Sequence, residues 1–122
     1  MGMRCLIIED EPVMQHLIST MLTRCGCESQ IASNAQQALQ LARAGTFELA
    51  TVDLMLPTIS GLDLLKLFKA DPALKDIALI VISAAVDQAE WDEAYRRGAA
   101  ALLKKPFTFQ EMHEIIQKIT GG

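Results

Sequence analysis

The feature that most constrains this chain is a run of five residues, Ala78 to Ile82 (ALIVI), with no polar residue in it. A strand with one face in water alternates apolar and polar side chains. An unbroken apolar run this short therefore belongs to a strand covered on both faces. Helices cover both faces of a sheet when parallel strands are joined by helical crossovers. The rest of the chain supplies the matching pieces. Short strand-like runs at 3–8 (MRCLII), 28–32, 47–52 and 100–103 alternate with helical patterns at 12–25, 34–44, 61–70, 87–97 and 108–119. Pro12 suits a first helical turn, Ser33 or Asn34 can cap the second helix, and Gly26, Gly45 and Gly98 suit helix ends. Asp71-Pro72 breaks the third helix. Five strand–helix units predict an α/β fold with a parallel sheet and helices on both faces.

With 122 residues, one domain occupies the chain, with its core at about 3–120. Fifteen acidic against 11 basic side chains give a net charge of −4. That balance argues against this domain gripping nucleic acid or an anionic membrane. The longest strongly apolar run, Ile77 to Val86, is interrupted by Ser83 and is too short to span a bilayer. The N-terminus does not read as a signal peptide. Three cysteines, Cys5, Cys25 and Cys27, form neither a disulfide framework nor a zinc motif, so a reduced, cytoplasmic setting is expected.

In an open α/β sheet, ligands bind beyond the carboxyl ends of the strands. The residues that follow the strands here are Glu9, Asp10 and Glu11, then Asp53, then Ser83, then Lys104, Lys105 and Pro106. Taken singly, each has a plain use: an aspartate forms turns, a serine caps helices, a lysine is a solvated charge. Taken together, separate strands bring carboxylates, a hydroxyl and an ammonium to one edge. Converging carboxylates repel unless a cation joins them, and Mg²⁺ takes such oxygen ligands together with phosphate oxygens. A carboxylate can also serve as a nucleophile and form an aspartyl phosphate. These are the parts needed for phosphoryl transfer to Asp53.

The motifs LIIEDEP at 6–12, VDLMLPTISGLDLL at 52–65, VISA at 81–84 and GAAALLKKPF at 98–107 resemble the receiver domain of two-component response regulators, the family that includes the chemotaxis receiver. The resemblance covers residues 3 to 120. It implies a flavodoxin-like, doubly wound (βα)₅ sheet in the order 2-1-3-4-5. It also implies Asp53 as phosphoacceptor, and Mg²⁺, with Mn²⁺ able to replace it, held by Glu9, Asp10, Asp53 and the Met55 backbone carbonyl. Ser83 and Lys105 match the residues that hold the phosphoryl group and switch with it, and Pro106 matches a proline with a cis bond to that lysine. The partner implied is a sensor histidine kinase or a histidine phosphotransfer protein. Homodimers through helix four, strand five and helix five are a further implied option. Such a domain catalyses its own phosphorylation and dephosphorylation and turns over no metabolite.

The chain departs from the family at three positions. Leu102 stands where the family places an inward-turning aromatic residue. Met55 and Ala85 stand where polar side chains often steer the water that removes the phosphoryl group, so slow dephosphorylation is expected. Trp91 and Tyr95, four apart, share a helix face and read as packing or as a partner surface. His16 and His113 read as surface residues. Two rivals remain. A docking-only receiver usually lacks Asp53 or one of the acidic pair, and this chain keeps them. A phosphatase of the aspartyl-phosphate type carries DxD, where this chain has Asp53-Leu54-Met55.

Overall fold

The computed structural model describes residues 2–84 and 87–121. Five strands alternate with five helices: β1 (Met3–Ile8), α1 (Pro12–Arg24), β2 (Cys27–Ala32), α2 (Ala35–Ala44), β3 (Leu49–Val52), α3 (Gly61–Ala70), β4 (Ala78–Ser83), α4 (Gln88–Arg96), β5 (Ala99–Lys104) and α5 (Phe109–Thr120). All four strand pairings are parallel. The order across the sheet is β2-β1-β3-β4-β5, the doubly wound arrangement that the family resemblance implied.

Strand alternation sorts the core into two layers. Leu6, Ile8, Ala50, Val52, Leu79 and Val81 pack with residues of α2, α3 and α4, including Ala38, Leu64 and Phe68. Cys5, Ile7, Leu49, Ile80, Ile82 and Leu103 pack with Ile18 and Leu22 of α1 and with Met112 and Ile116 of α5. The ALIVI run thus divides between both layers, which is why it carries no polar residue. Burying each of its large side chains contributes about 1.5–3 kcal/mol.

Local signals set the helix starts. Asn34, Ser60 and Asp87 each accept a backbone N–H from the first turn of α2, α3 and α4, and Thr108 forms a capping box with Glu111 at α5. These caps shift α4 and α5 one residue inward from the expected starts, because a cap residue is not itself helical. β2 begins at Cys27, one residue early, since Cys27 pairs with Met3. β3 begins at Leu49 and leaves Phe47 outside, packed against the α2–α4 layer. Strand β5 gains Ala99 through an irregularity against β4, opposite Leu79 and Ile80.

Candidate functional site

The three central site residues stand one position past their strands, yet each stays on the ladder. The N–H of Glu9 donates to the Ala32 carbonyl (3.0 Å), that of Asp53 to Ile8 (3.1 Å) and that of Lys105 to Ser83 (3.0 Å). Alternation continues through them, so Glu9, Asp53 and Lys105 follow Ile7, Thr51 and Leu103 onto the α1–α5 side. Parallel pairing in register therefore delivers three side chains, from distant parts of the sequence, to one point.

There the Lys105 ammonium donates to Glu9 Oε1 and to Asp53 Oδ2, both at 2.9 Å. The remaining oxygens are also engaged. Asp53 Oδ1 accepts the Met55 N–H at 2.9 Å, and Glu9 Oε2 accepts the Glu11 N–H at 3.2 Å. Glu9 and Asp53 are 2% and 7% exposed, so these charges are held away from water. Asp10 is exposed, and one carboxylate oxygen each from Glu9, Asp10 and Asp53 lies within 4.8 Å of the others.

Three carboxylates around one ammonium leave an excess of negative charge. Burial pushes the Glu9 carboxyl above its ordinary value; the hydrogen bonds from Lys105 and Glu11 only partly oppose this, and the charge on Asp53 adds to it. Burial also works against the charge on Lys105, but its bonds to Asp53 and Glu9 outweigh that, and its pKa is raised. An all-oxygen donor set with surplus negative charge fits a hard divalent cation such as Mg²⁺.

Ser83 ends β4 on the other side of the sheet edge. It is fully buried, and its Oγ has no hydrogen-bond partner among the described residues. An unmade bond of this kind costs about 1–3 kcal/mol. Thr51, one pleat below Asp53, is buried with its hydroxyl likewise unpartnered. The Lys105–Pro106 peptide is cis. Met55 is 64% exposed beside the site. Leu102 is half-buried against the α2–α4 layer, and Lys104 is exposed. Ala85 lies outside the described residues.

Two residues that support the site went unremarked in the sequence. A Cβ at Gly61 would stand 2.5 Å from the Asp53 carbonyl oxygen and 2.6 Å from Leu54 Cα. Glycine there lets α3 start directly against the loop that carries Asp53. Its signal was present, a glycine at a first helical position where any residue would serve the helix alone. Gln15 donates from Nε2 to the Glu9 carbonyl (2.6 Å) and to Ser33 Oγ (3.2 Å), pinning the turn after β1. A glutamine on a helix gives no such signal.

Comparison with known proteins decides the family. The family model described as "Response regulator receiver domain" matches residues 5–117. The chain belongs to the response regulator receiver domain family. Receiver domains of this family are signalling modules. Chemotaxis protein CheY of Pseudomonas aeruginosa is 30% identical over 118 residues, covering 96% of this chain and 95% of the relative. CheY of Thermotoga maritima is 31% identical over 122 residues, covering 98% and 99%. The receiver domain of a Pseudomonas aeruginosa sensor histidine kinase, solved with magnesium coordinated in its active-site cleft, superposes with a TM-score of 0.90 at 25% identity over the whole of both chains. The acidic cluster of Glu9, Asp10 and Asp53 is compatible with a Mg²⁺-dependent phosphoacceptor site. Among the described residues, no helix is long and apolar enough to cross a membrane.

Proposed function

We propose that Asp53 of this receiver domain takes a phosphoryl group from a phosphohistidine of a sensor histidine kinase or a histidine phosphotransfer protein. A carboxylate oxygen of Asp53 attacks phosphorus, the P–N bond breaks, and its electron pair returns to the imidazole. Mg²⁺, or Mn²⁺ in its place, would be held by Glu9, Asp10, Asp53 and the Met55 carbonyl and would offset the repulsion between carboxylate and phosphate. The observation that carries this reading is the Lys105 ammonium shared between Glu9 and Asp53 at 2.9 Å. It holds a cation against the acceptor before any phosphate arrives. Ser83, a buried donor with no acceptor among the described residues, supports the same role for its hydroxyl.

The new group adds roughly −1.5 to −2 charges at pH 7, by analogy with phosphoserine. That charge draws Lys105 and the Ser83 hydroxyl toward the phosphoryl oxygens and shifts the population between two states of one fold. With Leu102 in place of an aromatic side chain, the shift is read through packing at Leu102 and Tyr95. These two line a groove over β5 with Ala100, Ala101, Ile115 and Ile119. The same α4–β5–α5 face is the proposed surface for homodimers. The exposed Met55 thioether orients no attacking water, so the phosphoryl group leaves slowly by the domain's own dephosphorylation. Residues 1–122 form one receiver domain that acts in the cytoplasm without contacting nucleic acid.

The test is intact mass after incubation with acetyl phosphate, with Mg²⁺ or with EDTA, for wild type and Asp53→Asn. A single adduct of about 80 Da that needs Mg²⁺ and is absent from the variant supports the reading. An adduct that survives in Asp53→Asn overturns Asp53 as acceptor.

A further inference from the structure

Away from the site, charge is unevenly spread. The chain carries a net charge of −4, yet Lys66, Lys69, Arg96 and Arg97 line one groove of about 540 Å³ between α3 and α4, with Ala70 and Glu93. Two carboxylates answer these four cations. Glu93 accepts from Arg96 Nη2 and Arg97 Nε, both at 2.7 Å, and Asp63 accepts from Arg97 Nη1 at 3.1 Å. The lysines have no carboxylate partner among the described residues. Lys69 donates to the carbonyls of Lys75 (2.9 Å) and Ile77 (3.4 Å), while Lys66 is exposed.

Helix dipoles account for cations in the last turns of α3 and α4. They do not account for Lys66, one turn earlier, nor for two helices ending side by side on one groove. Gly98, at φ +106°, shapes the same place: a Cβ there would stand 2.7 Å from the Lys69 stem, so its absence lets that stem lie across the turn after α4.

The occupant follows from the chemistry. Among the described residues, no aromatic side chain lines the groove, so a nucleobase has nothing to stack on. No buried donor converges on a point, so a single phosphate has no cradle. Surplus cations spaced along two helix ends suit carboxylates spaced along an extended chain. We propose that the α3–α4 groove docks an acidic peptide segment of a partner protein, its carboxylates pairing with Lys66, Lys69 and Arg96. This surface stands whether or not Asp53 takes a phosphoryl group. If it does, the two are linked, because α3 follows the Asp53 loop and α4 follows the Ser83 loop.

The test uses the whole chain and a short fluorescein-labelled peptide of alternating glutamate and serine, read by fluorescence anisotropy at low and physiological salt. Lys66→Glu with Arg96→Glu is expected to weaken saturable binding by about tenfold or more. Lys104→Glu with Lys118→Glu, the same charge change elsewhere, is expected to alter it by less than about threefold. Lys66→Gln alone, at an exposed position, replaces the first variant if circular dichroism shows that variant unfolded, with a loss of about threefold expected. Equal weakening by both double variants, absence of saturable binding, or equally tight groove-dependent binding of labelled oligothymidine or of phosphatidylserine vesicles overturns the proposal.

Discussion

The two ends of the same sheet treat charge in opposite ways. Near the amino ends of the strands, two pairings are simple and close to water. Arg43 Nε meets Asp71 at 3.1 Å, with the arginine side chain 56% exposed. Glu48 accepts from the Arg4 N–H, and the Arg4 guanidinium lies 5.1 Å over the Phe47 ring. At the carboxyl ends, two buried carboxylates share one ammonium, a third stands within reach, and the buried Ser83 hydroxyl has no partner among the described residues. The pairs just named are complete in themselves and near water; the carboxyl ends collect buried groups that need a further ligand. Stability and chemistry thus separate along the length of the same strands.

Three substitutions break or sharpen that contrast. The largest effect is expected for Lys105→Met, which leaves Glu9 and Asp53 facing each other with no cation between them. Urea denaturation in EDTA at neutral pH is expected to show a loss of about 2 kcal/mol. A loss below about 0.5 kcal/mol would mean that Lys105 does not hold the two charges together.

A smaller effect, of opposite sign, is expected for Glu9→Gln. The folded carboxyl of Glu9 is pushed above its ordinary value. Between the unfolded and folded pKa values, the folded protein binds more protons than the unfolded chain, so stability falls as pH rises through that window. Removing the titration should make the variant more stable than wild type at pH 7 in EDTA, with the advantage shrinking as pH falls through the raised folded pKa and gone below the ordinary carboxylate value. Denaturation midpoints across that range test this, and an advantage that grows on acidification would reverse the sign assigned to Glu9. The smallest effect is expected for Arg43→Ala at the opposite end. Losing an exposed pair should cost less than about 1 kcal/mol by the same denaturation assay.

The sheet was legible because its signals are local. ALIVI required cover on both faces, and each helix carried its own cap or glycine. The candidate site was legible because a parallel sheet sends the residues at the carboxyl ends of its strands to one edge, so Glu9, Asp10, Glu11, Asp53, Ser83, Lys104, Lys105 and Pro106 could be gathered there from strand ends, and the family resemblance then singled out Lys105 over Lys104. What stayed hidden depends on contact between segments. Gly61 matters because a Cβ would strike the Asp53 carbonyl, which no helix pattern records. Trp91 and Tyr95 share a face by spacing, yet Trp91 packs on the core while Tyr95 is 54% exposed, because α4 ends over the small alanines of β5. The α3–α4 groove stayed hidden because Lys66 and Arg96 lie 30 residues apart and meet only when two helices end together.

Lys105 also ties the charge balance of the sheet edge to a single strand pairing. Glu9 and Asp53 are carried by β1 and β3, 44 residues apart in sequence, and their shared ammonium comes from the end of β5. Lys105 reaches them only when β5 pairs with β4 in the observed register, through Ser83↔Lys104 and the Lys105 N–H to the Ser83 carbonyl. A slip of β5 by one residue would turn Lys105 to the other face. The register of an edge strand and the neutralisation of two buried carboxylates on other strands are therefore one and the same condition.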